Sequence, residues 1–278
     1  MRFKLTLEVN KKAFGNRLPI NYQYEQSCVI YKILARANKD YATWLHENGF
    51  RKENGKTFKF FSYSRLLIEK YRILREEGRL QILSDTVEWQ LSFLPEKSTR
   101  CFIQGLFMNQ VFEIGDCKSA VQFIVRNVEV MPSPEFVEEM VFRTLSPICL
   151  KLRHEGKKVD YLSPADSVSS YILFKGLIEK YSLFYGTKCP FCVEDCRMEV
   201  LDQPKSALVK IKTDTPQETS VRGFMCRLKI SAPMELIKLL YESSAGSLGS
   251  MGFGFLKVEK KLKQLPGRFA SIWCDYYV

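Results

Sequence analysis

Histidine is scarce in this chain, which has only His46 and His154 among its 278 residues. Because histidine alone has an ordinary pKa close to neutrality, candidates for acid–base chemistry at pH 7 are few. Apolar runs are also short, and none approaches the roughly 20 residues that a membrane-spanning helix requires. The first nine residues alternate polar with apolar side chains, which is not typical of a signal peptide. We therefore expect a cytoplasmic protein that makes no contact with a membrane.

The cysteines lack the spacing of a disulfide framework. There are nine, an odd number, which is typical of a reducing compartment. Cys189, Cys192 and Cys196 resemble half of a zinc site, but a closed site needs four ligands and no second C-x-x-C follows. We predict that the protein uses no metal ion and no cofactor, with a zinc-dependent hydrolase built on these cysteines as the alternative.

The charge balance is strongly basic. Lysine and arginine number 42 against 31 aspartates and glutamates, a net charge of +11. Such an excess favours a polyanionic partner, because basic side chains displace counterions from phosphates. An ordinary enzyme with a basic surface is the alternative. Hydrophobic residues make up 46% of the chain, enough for the cores of two domains.

The hydrophobic pattern predicts the same order of elements twice. Strict alternation from residue 3 to residue 9 predicts a half-buried strand. The first half continues with helices at 24–38 and 39–47, strands at 58–67, a hairpin around 76–78, a strand at 87–93, a helix after Pro95 and strands within 111–130. The second half contains a strand at 141–152, a helix from 163 to 185, strands at 193–201, 207–212 and 223–230, a helix at 233–245 and a strand at 255–261.

This order predicts an α+β protein of two tandem ferredoxin-like domains, each with a βαββαβ core. Pro132 and Pro134 are poor sheet residues and mark the linker. We therefore predict an amino-terminal domain at 1–131 and a carboxyl-terminal domain at 132–278.

Four glycines fall within nine residues near the end of the chain, in a Gly-rich loop at 246–255. Glycine permits close approach to a ligand, and consecutive backbone N–H groups can cradle an anion. The loop follows a helix and opens a strand, whereas a dinucleotide-binding loop follows a strand, and it lacks the Gly-Lys-Ser/Thr ending of a Walker loop. The alternative is structural, namely a tight connection that packs closely on the sheet.

Together, residues 18–22, Tyr31, His46 and the Gly-rich loop resemble the CRISPR-associated endoribonucleases that cut precursor CRISPR RNA within its repeats, the sixth Cas family of the RAMP superfamily. The resemblance covers essentially the whole chain. It implies tandem ferredoxin-like domains and metal-independent cleavage that leaves a 2′,3′-cyclic phosphate and a 5′-hydroxyl. It also implies CRISPR repeat RNA as the partner, other Cas proteins of a surveillance complex as further partners, and a monomer or homodimer.

His46 is the predicted acid–base residue, at the end of a helix and followed by basic residues. The alternative is a surface histidine that interacts with the helix carboxyl end. The resemblance adds Tyr31 and Lys52 to the catalytic site. The alternative for Tyr31 is a place in the core, because it shares a helix face with apolar residues. Arg51 and Lys56 are alternatives to Lys52 as the basic residue of the site.

The predicted RNA-binding residues are those of the Gly-rich loop and of the strand after it: Gly246, Ser247, Gly249, Ser250, Gly252, Gly254, Lys257 and Lys261. Lys257 and Lys261 are four residues apart, so on a strand both would point to one side and could line a groove. The alternative function is a non-catalytic RAMP-type RNA-binding subunit of a CRISPR effector complex, which would need no acid–base residue.

Overall fold

The computed structural model describes residues 1–53, 55–153, 159–213 and 215–259. Its first half contains β1 (Arg2–Asn10), α1 (Lys11–Phe14), β2 (Arg17–Pro19), α2 (Gln23–Ala37), α3 (Lys39–Glu47), β3 (Phe50–Arg51), β4 (Thr57–Phe58), β5 (Phe61–Tyr63), β6 (Tyr71–Leu74), β7 (Arg79–Ile82), β8 (Thr86–Phe93), α4 (Glu96–Met108), β9 (Val111–Gly115) and β10 (Ala120–Val130). The second half contains β11 (Glu139–Thr144), β12 (Leu150–Leu152), β13 (Asp160–Leu162), α5 (Ser169–Tyr185), β14 (Arg197–Val200), β15 (Lys205–Ile211), β16 (Thr219–Met225), β17 (Arg227–Ser231), α6 (Met234–Ser243) and β18 (Leu256–Val258). Among the described helices, none has the length and hydrophobicity to span a bilayer.

An antiparallel sheet with the strand order β5-β8-β1-β10-β9 forms the centre of the first half. β1 pairs with both β8 and β10. Its alternating apolar side chains, Phe3, Leu5 and Leu7, are buried in a core that they share with α2 and α4. The predicted half-buried strand is confirmed, and the alternation places its apolar face against the helices.

A second antiparallel sheet, with the order β14-β17-β11-β18, forms the centre of the second half. In each half the strands of the βαββαβ core lie in the order second, third, first, fourth, with two helices in the connections. This is the ferredoxin-like arrangement, so the predicted fold class is confirmed. Residues 131–138 connect the two sheets, and the division at residue 131 stays a prediction.

Several predicted elements differ from the structure in their bounds or their continuity. The helix expected from residue 163 begins at Ser169, because the Asp166 carboxylate accepts the Ser163 N–H and holds residues 163–166 in a turn. The strand expected at 223–230 is two strands that part at Cys226, since β16 pairs with β15 while β17 joins the main sheet. The strands expected at 58–67 and 141–152 are also interrupted, the first at the buried Phe60, which has a φ of 53°.

The buried Arg2 joins the two halves. Its guanidinium donates hydrogen bonds to the carbonyl groups of Leu256 and Tyr241. The guanidinium carbon lies 3.3 Å from the centre of the Tyr241 ring, a favourable cation–π distance. The Ser92 hydroxyl adds a hydrogen bond to the Glu242 carbonyl at 2.6 Å. These contacts fix the first sheet against α6 and β18.

Candidate active site and adjoining cleft

Tyr31 and His46 lie side by side. The two helices that carry them, α2 and α3, adjoin in the chain, and the Asn38 side chain caps α3 by accepting the Tyr41 N–H at 2.8 Å. The ring of Tyr31 meets His46 edge to face, with 5.0 Å between ring centres and an interplanar angle of 85°. His46 is exposed on the last turn of α3. The imidazole is therefore open to a substrate and has a hydroxyl-bearing ring beside it.

The phenol of Tyr31 is held in a partly apolar environment. Its ring also contacts Phe61, with the ring centres 5.6 Å apart. Burial raises the pKa of Tyr31 above its ordinary value, and the neighbouring Tyr41 and Cys28 add to the rise. Tyr31 is thus a neutral phenol near pH 7. In that form it donates a hydrogen bond or a proton and does not act as a phenolate base.

A lysine that was not predicted from the sequence contacts the end of α3. The Lys59 ammonium donates a hydrogen bond to the His46 carbonyl at 2.7 Å. Gly49, with a φ of 55°, makes room for this side chain, since a Cβ at residue 49 would lie 2.8 Å from Lys59 Cδ. Burial lowers the pKa of Lys59. Its place follows from the pairing of β3 with β4, which brings residue 59 back to the helix end.

Lys52 makes its ion pair with the other half of the protein. Its ammonium lies 3.6 Å from the Glu179 carboxylate on α5, and the Lys56 ammonium lies 2.6 Å from the same carboxylate. Burial alone would raise the pKa of Glu179, but the Lys56 hydrogen bond and both lysine charges hold it below its ordinary value. Within the described residues no hydrogen bond or ion pair joins Lys52 to His46. The structure brings Tyr31 and His46 together and holds Lys52 beside Glu179.

A cleft of about 850 Å³ lies between residues 55–61 of the first half and β12, α5 and the Gly-rich loop of the second. Glu179 contributes a negative charge to it. Its basic lining residues are Lys56, Lys59, Lys151, Arg153, Lys175 and Lys180. The candidate site adjoins this cleft, because Lys59 and Phe61 line it and also contact His46 and Tyr31. A concave surface of this charge attracts an anionic chain.

The Gly-rich loop forms part of the cleft wall and contacts α2. Gly246, Ser247, Gly249 and Ser250 line the cleft, whereas the deeper glycines are buried. The Ser27 hydroxyl donates to the Ser250 carbonyl at 2.8 Å, one turn of α2 before Tyr31. The loop is therefore held against the helix that carries Tyr31, although the two come from opposite halves of the chain.

Three consecutive amide groups of this loop are available to a ligand. The N–H groups of Leu248, Gly249 and Ser250 make no hydrogen bond within the described residues. Leu248 has a left-handed backbone, with a φ of 63°, and all three residues line the cleft. Successive amides in such a turn form an anion-binding concavity.

The other predicted site residues lie away from the cleft lining or outside the described residues. Gly252 and Gly254 are buried behind the loop, and Lys257 is exposed on β18. Lys261 and His154 lie outside the described residues. Cys189 and Cys196 are buried in the second core and Cys192 is exposed. The described part of the chain contains no group of three or more His, Cys, Asp or Glu side chains placed to hold a metal ion.

Two ferredoxin-like domains with a Gly-rich loop at a basic cleft define a protein of the RAMP class. Two family models match this chain: CRISPR-associated protein Cas6, N-terminal, over residues 17–129, and CRISPR associated protein Cas6, C-terminal, over residues 131–258. The chain belongs to the Cas6 family, and the resemblance noted from the sequence is confirmed.

Named relatives cover nearly the whole chain. CRISPR-associated endoribonuclease Cas6 1 of Methanocaldococcus jannaschii is 32% identical over 94% of this chain and 94% of its own length. CRISPR-associated endoribonuclease Cas6 of Pyrococcus furiosus is 28% identical over 93% of this chain and 90% of its own length. A solved RAMP protein described as binding different RNA substrates superposes with a TM-score of 0.77, at 26% identity, over 94% of this chain and 100% of that one.

Proposed function

We propose that this protein is an endoribonuclease that cuts precursor CRISPR RNA within its repeats. The observation that carries the proposal is the pairing of an exposed His46 with a neutral Tyr31 at the edge of a basic cleft. Membership of a family whose named relatives are CRISPR-associated endoribonucleases supports the same activity. Assembly with other Cas proteins, the oligomeric state and a cytoplasmic location stay predictions.

The proposed reaction is an internal transesterification of the RNA. The His46 imidazole takes the proton of the 2′-hydroxyl, and the 2′-oxygen attacks the adjacent phosphorus as the bond to the 5′-oxygen breaks. The departing 5′-oxygen takes a proton from the Tyr31 phenol. The imidazolium then gives the proton that it took from the 2′-hydroxyl to the resulting phenolate. The products are a 2′,3′-cyclic phosphate and a 5′-hydroxyl.

Positive charge near the phosphate would stabilise the charge that develops in this reaction. Lys59 is the lysine that contacts the His46 backbone, whereas Lys52 shares the Glu179 carboxylate with Lys56. We therefore add Lys59 to Lys52 as a candidate for this role. The amides of Leu248, Gly249 and Ser250 supply binding positions for a phosphate along the cleft.

Cleavage is expected to proceed at an unchanged rate in excess EDTA, because the proposed chemistry uses side chains alone. The measurement is the rate on an RNA that carries candidate repeats, with and without the chelator, followed by mapping of the product ends. A repeat with a single 2′-deoxy nucleotide at the cut site is the control and should stay intact. Loss of cleavage in EDTA, or products with a 3′-hydroxyl, would contradict this mechanism and favour a metal-dependent nuclease.

Replacing Lys59 by alanine is expected to slow cleavage about tenfold, which corresponds to about 1.4 kcal/mol of transition-state stabilisation. The change removes a charge beside the site and the hydrogen bond to the His46 carbonyl. The measurement is the single-turnover rate at saturating RNA, with Lys59→Arg as the charge-conserving control. Lys52→Ala tests the other candidate lysine. If Lys52→Ala slows cleavage and Lys59→Ala does not, Lys52 alone stabilises the charge on the phosphate.

A non-catalytic RNA-binding subunit is the second candidate function. The structural relative described as binding different RNA substrates supports the binding of RNA by this fold. The pairing of Tyr31 with His46 favours the enzyme, since a scaffold has no need of an acid–base residue beside a hydroxyl. The His46 variant discriminates between the two functions.

A further inference from the structure

Lys180, on α5, is a buried ammonium in the wall of the cleft. Its side chain is only 6% exposed. The ammonium donates hydrogen bonds to the Ser244 carbonyl at 2.8 Å, to the Ser244 hydroxyl at 2.9 Å and to the Gly246 carbonyl at 3.0 Å. All three of its N–H groups are thus used within the protein, so it acts on a ligand through the loop and not by contact.

This ammonium has no carboxylate partner within the described residues. The adjacent Glu179, on the same helix, pairs with Lys52 and Lys56 instead. The charged group that acts on Lys180 from the facing segment is Lys56, and Ser244 and Gly246 of the loop are uncharged. Burial and the Lys56 charge lower the pKa of Lys180 to about 7. Burying a cation without a counter-charge destabilises the folded protein. A role in function would explain why a lysine occupies this position.

The three hydrogen bonds hold the start of the Gly-rich loop in an uncommon conformation. Ser244 has a φ of 150° and a ψ of 151°, a backbone that side-chain-bearing residues rarely adopt. The Ser244 hydroxyl lies directly under the loop, since a Cβ at Gly249 would be 2.6 Å from it. Lys180 therefore supports Ser244, and Ser244 in turn supports the residue that carries one of the available amides.

We propose that Lys180 is a positioning residue that sets the Gly-rich loop for RNA, and that the phosphates of RNA in the cleft supply its missing counter-charge. The proposal rests on the proposed function, because it takes the anion to be RNA. A neutral amine has two N–H groups and can donate to only two of these three oxygens, whereas the ammonium donates to all three. Bound phosphates favour the charged form, so RNA binding takes up a proton.

The sign of the pH dependence follows from this coupling. In the protein without RNA the pKa of Lys180 is about 7. Below that pH the ammonium is already present, so RNA binding takes up no proton and the affinity does not depend on pH. Above that pH the free protein must first bind a proton, so affinity falls as the pH rises. We expect the dissociation constant to increase about tenfold between about pH 6 and about pH 9.

Equilibrium binding of a repeat RNA with a 2′-deoxy nucleotide at the cut site tests the proposal, because this RNA is bound and not cut. Lys180→Met should bind about tenfold more weakly at about pH 6, with little dependence on pH. Lys180→Arg stays charged at every pH and should recover binding with a flat profile. In single-turnover cleavage of unmodified repeat RNA, Lys180→Met should raise the half-saturating concentration and leave the maximal rate constant unchanged, which a general loss of structure would not produce.

Lys175→Met is the matched control. It removes one positive charge from the same helix and the same cleft, at an exposed residue, and should weaken binding equally at each pH. The proposal would be overturned if the dissociation constant of Lys180→Met depended on pH as that of the wild type does. It would also be overturned if the wild type showed the same flat pH profile as Lys180→Arg. If the protein binds repeat RNA with the expected pH profile but does not cut it, the proposed enzyme is wrong and the role of Lys180 stands.

Discussion

His46→Ala is expected to slow the cleavage of repeat RNA by a factor of about 10² to 10⁴, the usual contribution of a general acid–base group. His46 is one of two histidines in the chain, and its imidazole is exposed beside the Tyr31 ring. His46 is the one histidine within the described residues. The measurement is the single-turnover rate at saturating RNA, together with the dissociation constant for the same RNA.

Binding and folding should be nearly unaffected by this change. The hydrogen bond to residue 46 that the structure shows is accepted by its backbone carbonyl, which an alanine retains. Glu47→Ala is the matched control, an exposed residue on the same last turn of α3, and should cleave at the wild-type rate. If His46→Ala cleaves at the wild-type rate, His46 is not the acid–base residue. If the wild type itself does not cleave repeat RNA, the protein is better explained as an RNA-binding subunit.

Elements with a strong periodic pattern could be predicted from the sequence, whereas contacts between distant segments could not. The helix predicted at 39–47 has the observed bounds, Lys39–Glu47, because the residues that end it, Asn38 and Gly49, are its immediate neighbours in the sequence. The strand at 223–230 was predicted wrongly as a single element. Its division depends on which partner each part finds, and β15 and β11 are far apart in the chain.

The candidate site shows the same limit. The resemblance named Tyr31 and His46, and the structure places their rings in contact, while their catalytic roles stay predictions. Lys59 and Lys180 look like ordinary charges in the sequence. The partners of Lys180 lie 64 and 66 residues further along the chain, so no local pattern could mark it. Its importance comes from burial, which only the packed fold reveals.

Packing contacts also require glycine in the loop, and these contacts could not be predicted from the sequence. The four of them were predicted as a phosphate cradle, on the grounds that a simple connection needs fewer. In the structure, a Cβ on Gly246 would lie 2.5 Å from the Cys149 carbonyl oxygen, and one on Gly252 would lie 2.7 Å from the Tyr63 ring. Close packing against the protein thus accounts for glycine at positions that were assigned to RNA.

Gly254→Ala is therefore expected to destabilise the protein by about 3 kcal/mol or more, the sum of a left-handed backbone and an overpacked contact. Gly254 has a φ of 71°, and a Cβ there would lie 1.9 Å from the Ala245 carbonyl oxygen. The backbone cannot easily retreat, because the Gly254 carbonyl accepts the Ala245 N–H at 2.8 Å and the Gly254 N–H donates to the Pro147 carbonyl at 2.9 Å. Chemical denaturation measures the loss.

Gly176→Ala is the matched control for this substitution. Gly176 lies within α5, has no atom within 4 Å of the position of a Cβ, and should gain about 0.5 to 1 kcal/mol from the better helix propensity of alanine. The comparison separates the two explanations of the Gly-rich loop. Packing requires that Gly254→Ala lose stability before any RNA is added. If instead it unfolds like the wild type and loses only its affinity for repeat RNA, the glycine serves the close approach of the RNA backbone, and the structural account of this position is wrong.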